Sequence, residues 1–364
     1  MKTQAKQANV ARTNGVTPKL RRVGVVVFLF FLDVTMVVGF GISVTYSQMP
    51  LVQEHPKSDA ASAEGEKLAG HLDEETAQLG SPVAELGVPE GQEHHWQPLL
   101  DEELSRWEVF TGVPHKSVTI NGFPRSQSHD CRKGKPFGLG DPKNVYSVAI
   151  TDGAPVLHVS GEIYAGLTSL EEFENYHFST EFKWGKKKWP PREKRKMKRD
   201  SGILLHCNGK HGAFWNVWMR CFECQVQEGD FGDFIQLAGT SCQVKVTHES
   251  RSEATPLHSP SGVWQTIGPG VRKWGAKRHG NHEIPQAWNQ IEVYAMADKA
   301  VFAVNGHPVM HLKDMRVGKF EAGKPVTRGK IQVQSEAAEC WYRDMKIRPI
   351  RRLPAKLAAH FEDH

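Results

Sequence analysis

The sequence predicts an all-β sandwich or barrel, and three observations carry that expectation. Short segments alternate apolar and polar residues, Gly, Pro, Asn or Asp bounds nearly every one of them, and amphipathic helix is almost missing from the same region. The segments are PVLHVSGEIYAGL, YHFSTEFKW, GILLHCN, CFECQVQ, DFIQLAG, CQVKVTH, WNQIEVYAMADKAVFAVNGHPVMHL, GKIQVQS and CWYRDMKIRPI. The clearest hairpin turns at Asn305-Gly306, two residues that tolerate positive φ in a tight turn. No internal repeat suggests a propeller.

A chain of 364 residues with 39% hydrophobic and 24% charged residues is globular in composition, long enough for one large domain or two small ones. Its formal charge of +5 is unevenly spread. Residues 1–22 form a basic segment with Lys2, Lys6, Arg12, Lys19, Arg21 and Arg22 and no acid. Residues 23–48 then supply a membrane-length apolar stretch, VGVVVFLFFLDVTMVVGFGISV and its flank. Asp33 would cost about 2.5–3.5 kcal/mol at mid-bilayer, which the surrounding Phe, Leu and Val residues outweigh. The stretch reads as a transmembrane anchor, with a cleaved secretory signal as the alternative; no clean small-x-small cleavage site follows. Either reading exports everything after residue 48: the domain is expected on the extracytoplasmic side, membrane-anchored or secreted.

Residues 49–104 turn acidic, with thirteen Asp and Glu against Lys57 and Lys67, and read as a flexible stalk poor in large apolar groups. The folded unit is expected over 105–350 and a short tail over 351–364. Within the unit, KWGKKKWPPREKRKMKRDSG breaks the alternation with nine basic residues from Lys186 to Arg199 and only Glu193 opposing. Export argues against nucleic acid as a partner, which leaves a solvated loop, or a contact for an anionic glycan or lipid headgroup.

Alternation assigns faces. On CFECQVQ, Phe222, Cys224 and Val226 point one way and Glu223, Gln225 and Gln227 the other. On the two preceding strands His206 and Asn208, and Glu181 and Lys183, fall on polar rows in the same way. A polar sheet face is often simply the one that meets water, but carboxylate, amide and imidazole together suit hydroxyl recognition and proton transfer. Trp184, Trp189, Trp215 and Trp218 are candidates for stacking on sugar rings or for core. Cys221-x-x-Cys224 has zinc-knuckle spacing, yet on a strand the two sulfurs point to opposite faces, and structural zinc usually needs a second pair. The six cysteines lie on the exported side, where disulfides are permitted; a Cys207–Cys224 bridge is the pairing expected if both face the core of neighbouring strands.

In order, LHVSGEIYAGL, EFENYHFSTEFKWG, RDSGILLHCNG, FECQVQEGDFGD, VFAVNGHPV and GKIQVQSEAAECWYRDMKIRPI resemble the 3-keto-disaccharide hydrolase domain family over about residues 105 to 350. The resemblance implies a concanavalin A-like jelly-roll sandwich of two antiparallel sheets with a carbohydrate site on its concave face. It also implies cleavage of glycosidic bonds in 3-keto sugars. The ketone acidifies the C2 hydrogen, a base removes it, the enolate expels the C1 substituent, and water adds back. The family pattern falls on Asp200, Ser201 and Gly202, on Glu223 and Gln225, and on Glu181. Glu223 is the first candidate for base or leaving-group acid, with His206 and Glu181 as alternatives. Asp200, Lys183, Gln225 and Gln227 would bind substrate hydroxyls or the enolate oxygen. A divalent metal cation could act as Lewis acid, with ligands the sequence does not identify. The basic insertion before Asp200, and cysteines at 207, 221 and 224 where apolar residues are usual, depart from the pattern.

Two other readings stay open. The fold can hold an oligosaccharide without cutting it, as a binding module. Alternatively, Glu223-Cys-Gln225-Val-Gln227-Glu228 has the spacing of a laminarinase-type Glu-x-Asp-x-x-Glu strand, whose retaining chemistry wants carboxyls about 5–5.5 Å apart. The odd offset from Glu223 to Glu228 puts them on opposite faces unless a bulge intervenes.

Overall fold

The computed structural model describes residues 95–271 and 273–362. The expected basic segment, membrane anchor and most of the acidic stalk lie outside the described residues. Among the described residues no helix is long and apolar enough to cross a membrane.

The described chain is all-β, built as two antiparallel sheets. The larger sheet runs Val263–Ile267, Thr240–Val246, His307–Val317, Lys299–Val304, Asn289–Met296, Tyr176–Lys188, Ala338–Pro349, Ala154–Val159 and Tyr146–Thr151. The smaller runs Gly275–Ala276, Phe234–Leu237, Arg220–Gln225, Gly202–Asn208, Arg328–Ser335, Ala165–Ser169, Trp107–Thr111 and Gly138–Leu139. The Lys299–Val304 and His307–Val317 hairpin turns at Asn305 (φ 50) and Gly306 (φ 76), where the sequence places it.

The core follows from period-two burial on both sheets. Phe178, Phe182 and Tyr342 of the larger sheet meet Ile203, Leu205, Phe222 and Val333 of the smaller, all at most 1% exposed. A second apolar cluster lies on the other face of the smaller sheet, where Leu204, Cys207, Cys221 and Leu237 pack under Tyr164, Trp218 and Cys131. The smaller sheet is therefore covered on both sides, and polar groups on its outer face are withdrawn from water.

The boundaries shift at both ends. Gln97–Pro98 pairs with Lys346 and Ile347, and Leu99 is buried at 1% exposure, so residues 95–104 belong to the fold rather than to a stalk. At the other end the expected tail forms a short helix, Ala355–Ala358, whose Leu357 is buried against Tyr294 and Val301 while Phe361 stacks on Trp264.

One bulge corrects the expected faces of the Gly202–Asn208 strand. Lys330 pairs with Cys207 but Gln332 pairs with Leu204, and His206 adopts φ 51 between them. Alternation restarts after the bulge, so Cys207 joins Leu204 on the outer cluster while Cys224 faces the inter-sheet core. The expected Cys207–Cys224 bridge is thus ruled out by their placement on opposite faces, and all six cysteines are free and buried. His206 is wholly buried, its ring edge-on to Tyr176 at 5.8 Å, with neither ring nitrogen partnered. It is a neutral core ring, not a base beside Glu223.

Burial holds the His206 pKa at about 4, below the 6.5 of a free imidazole. The contribution of the neutral ring is whole above that unfolded value and lost as pH falls towards about 4. His206→Asn, which tolerates positive φ, will melt lower than wild type at neutral pH but lose less stability between pH 6.5 and 4. Thermal melts across that range test this; a parallel fall in both proteins contradicts it.

Candidate active site

The outer face of the smaller sheet opens into a cleft of about 580 Å³. Three neighbouring segments supply its floor. Glu223 and Gln225 project from Arg220–Gln225, which pairs with Gly202–Asn208 so that Glu223 faces Leu204 and Gln225 faces Gly202. Gln334 and Glu336 come from the end of Arg328–Ser335, and Asp200 bridges across to Glu336.

The Asp200-Ser201-Gly202 turn has a separate physical task at each residue. Asp200 points into the cleft at 3% exposure. Ser201 points the other way, its hydroxyl 2.9 Å from the Gln334 carbonyl and 2.8 Å from the Tyr342 hydroxyl, tying the cleft floor to the opposite sheet. At Gly202 a Cβ would come within 2.5 Å of Glu223 Oε1 and 2.6 Å of Gln334 Oε1. Any larger residue would push the ends of those two side chains out of their present positions.

Charge in the cleft is organised by Arg192. Its Nη2 lies 2.5 Å from Asp200 Oδ2 and 2.5 Å from Glu336 Oε1, with the guanidinium side chain only 12% exposed. Gln227 Nε2 donates to the same Asp200 oxygen at 2.6 Å. Asp200 Oδ1 and the Gln225 and Gln334 amide oxygens are buried and have no partner among the described residues. Burial drives the Glu223 pKa well above the usual carboxylate value, reinforced by the Asp200 and Glu336 carboxylates. Burial also raises Asp200 and Glu336, against the lowering influence of Arg192 on both. Three carboxyls facing one cation in a desolvated cleft do not all ionise together, and Glu223, which has no ion pair, is the one best kept protonated. The walls are aromatic: Phe214 stacks on both Trp215 and Trp218, and Trp274 stands 51% exposed. Trp215 is braced by the Arg132 guanidinium 3.6 Å from its ring.

Of the residues expected from the sequence, Asp200, Glu223, Gln225 and Gln227 meet here. Glu181 and Lys183 do not. They lie on Tyr176–Lys188 of the larger sheet, where Glu181 makes a solvated ion pair with Arg343 at 2.5 Å. Glu228 is taken up by Arg199 at 2.6 Å and does not line the cleft, so the laminarinase-type pair is not assembled. Trp184 is core, and Trp189 bonds the Ser160 carbonyl. Sequence reasoning missed Arg192, Glu336 and Gln334. The polar alternation Gln332, Gln334, Glu336 signals the last two, but Arg192 sits inside the basic run read as a solvated loop and nothing local marks it out. Among the described residues, no group of three or more His, Cys, Asp or Glu is placed to hold a metal ion.

Two antiparallel sheets, with a cleft of buried carboxyls and aromatic walls on one outer face, define a β-sandwich suited to a polyhydroxylated ligand. The chain belongs to the 3-keto-alpha-glucoside-1,2-lyase-like domain family, whose model matches residues 95–348. Among solved structures it is similar to a putative glycosyl hydrolase from Parabacteroides distasonis, at 15% identity and TM-score 0.36, over 70% of this chain and 100% of that one. A Bacillus licheniformis beta-glucanase matches at 10% identity and TM-score 0.32, over 71% and 98%. The carbohydrate binding module CBM66 from Bacillus subtilis matches at 8% identity and TM-score 0.33, over 56% and 91%. No curated protein matches the sequence.

Replacing Arg192 with Met leaves the Asp200 and Glu336 carboxyls without their buried counter-charge. Urea unfolding at neutral pH will show a loss of about 3–5 kcal/mol. The deficit will shrink as pH falls and the two acids protonate; a deficit independent of pH contradicts the assigned pairing.

Proposed function

We propose that the chain is an exported carbohydrate-active enzyme with a concanavalin A-like jelly-roll domain that cleaves glycosidic bonds of 3-keto sugars by elimination and hydration. The observation that carries this is the convergence of Asp200, Glu223 and Glu336 around the single buried guanidinium of Arg192. The basic residues 2–22 and the apolar stretch over 23–48 support export and membrane attachment, with secretion if that stretch is cleaved.

The chemistry divides among the residues as follows. Asp200 Oδ2 is held by Arg192 and Gln227, leaving Oδ1 bare and desolvated to take the C2 proton. Its environment raises its basicity above that of a solvated carboxylate. As the C2–H bond breaks, electron density moves to the C3 oxygen, and Arg192 with the amides of Gln225 and Gln334 stabilises the enolate. Protonated Glu223 gives its proton to the departing C1 oxygen as the C1–O bond breaks. Water then adds across the resulting double bond, its proton returning through the same carboxyls. Trp274 offers an exposed face to a sugar ring at the mouth of the cleft.

A non-catalytic sugar-holding module of the same fold is the second reading, favoured by the aromatic walls alone. The two are separated by incubating the protein with a 3-keto-disaccharide and with its unoxidised parent. Turnover of the ketone alone is expected; turnover of the parent indicates ordinary glycosidase chemistry, and binding without turnover leaves a binding module. Glu223→Gln will lower kcat on the ketone by about 10²–10⁴. With a nitrophenyl leaving group, which needs no proton, most of that loss will disappear; full activity of Glu223→Gln on the natural leaving group removes it from the mechanism.

The pH profile gives an independent check. Glu223 works protonated, so activity is present below its raised pKa and falls as pH rises through it. That alkaline limb lies above the ordinary carboxylate range, and it will be absent from Glu223→Gln assayed on the nitrophenyl substrate.

A further inference from the structure

A groove of about 910 Å³, larger than the acidic cleft, lies on the outer face of the other sheet. Strand register sets two rows across the sheet, from which Glu181, Arg343, Val156, Lys183 and Trp341 line the groove. Gln290, Glu181, Arg343 and Val156 are successive cross-strand partners, and Lys183, Trp341 and His158 form the row beside them. Trp288 lies one residue before Asn289, the partner of Phe182, and so stands at the free side of Lys183, whose ammonium is 6.0 Å from its ring. The backbones of Trp288 and Trp341 thus flank Lys183 two strand intervals or ~9–10 Å apart, a separation wider than a single pyranose ring. Trp96, just before the Gln97–Pro98 strand, closes the groove; its ring lies 4.8 Å from the buried His177 ring, which is bonded to Glu292 at 2.8 Å.

The side chains are held in place before any ligand arrives. The Arg343 guanidinium packs on Trp288 at 4.2 Å while pairing with Glu181 at 2.5 Å. Trp341 is tilted against His158 at 5.5 Å. All three tryptophans are half-buried, and Trp288 has Lys183 and Arg343, and Trp96 has Lys346, beside its ring. The remaining charged lining is Asp152, Asp344 and Lys346, so three cations oppose three anions.

We infer that this groove is a second saccharide site, distinct from the cleft, which binds a neutral oligosaccharide or polysaccharide chain. The chemistry is that of a ligand with apolar C–H faces and a rim of hydroxyls. Indole rings take the faces, while paired carboxylates and cations accept from and donate to the hydroxyls without leaving an unpaired buried charge. A balanced charge set gives no net attraction for an acidic glycan. The spacing of Trp288 and Trp341 asks for linked rings rather than one. Such a site would keep the enzyme on a polymer while the cleft on the opposite sheet works on a released or oxidised sugar, and it stands whether or not the cleft is catalytic.

The test is native affinity electrophoresis of the full chain in gels carrying mixed-linkage β-glucan, xyloglucan or pullulan, with alginate as the acidic comparison. At least one neutral polymer will retard the wild type. Trp288→Ala and Lys183→Ala will each weaken that retardation by ~tenfold in apparent affinity, while Glu223→Gln leaves it unchanged. Lys183→Ala removes an exposed ammonium and serves if Trp288→Ala fails to fold. Retardation by no neutral polymer, retardation by alginate alone, or retardation that survives both groove substitutions overturns the inference.

Discussion

The cleft depends on one buried contact, the Arg192 guanidinium held between Asp200 and Glu336. Carboxyls at 3–4% exposure are costly to ionise, and a charge left alone there would take a proton or unfold the site. Arg192 permits negative charge on Asp200 and Glu336, while Glu223, which forms no ion pair with it, is held protonated by burial and by its acidic neighbours against the weaker lowering influence of Arg192. A general acid and a general base therefore follow from position rather than from residue type.

That contact in turn rests on how the chain is laid out. Arg192 belongs to the basic loop between Tyr176–Lys188 and Gly202–Asn208, which folds back so that Lys198 pairs with Asp230, Arg199 with Glu228, and Lys188 bonds the carbonyls of Lys194 and Met197. Below it, the second apolar cluster seals the outer face of the smaller sheet, so that the site works against packed Leu204, Cys221 and Trp218 rather than against water. An ordinary one-sided antiparallel sheet would leave the same acids solvated and their pKa values ordinary.

The legible part of this arrangement was whatever period two controls. The strands, the Asn305-Gly306 turn, the placement of Glu223 and Gln225 on one face, and their meeting with Asp200 all follow from alternation and from the family pattern. Alternation failed at His206, because a bulge is a backbone event with no side-chain signature in this stretch, and it turned His206 inward and Cys207 outward together. It failed differently at Glu181 and Lys183. Their polar row is real, but which sheet a strand joins is a long-range choice that local pattern does not encode, and they face a different groove. Arg192 was invisible for a third reason: among nine basic residues, only the fold decides which one turns inward.

The sign of the charge in the cleft bears on which chemistry it favours. Direct hydrolysis of a glycoside passes through an oxocarbenium-like state, which ionised carboxylates stabilise and a guanidinium does not. Elimination from a 3-keto sugar builds negative charge on the C3 oxygen, which a guanidinium, amide donors and a protonated carboxyl stabilise. Here the buried guanidinium sits between Asp200 and Glu336 and permits their ionisation, while Glu223 has no ion pair to hold it ionised and burial keeps it neutral. The cleft is therefore poorer in negative charge than its residue list suggests. A site that offsets two carboxylates with a buried guanidinium and keeps its third carboxyl protonated is better matched to an enolate than to an oxocarbenium ion.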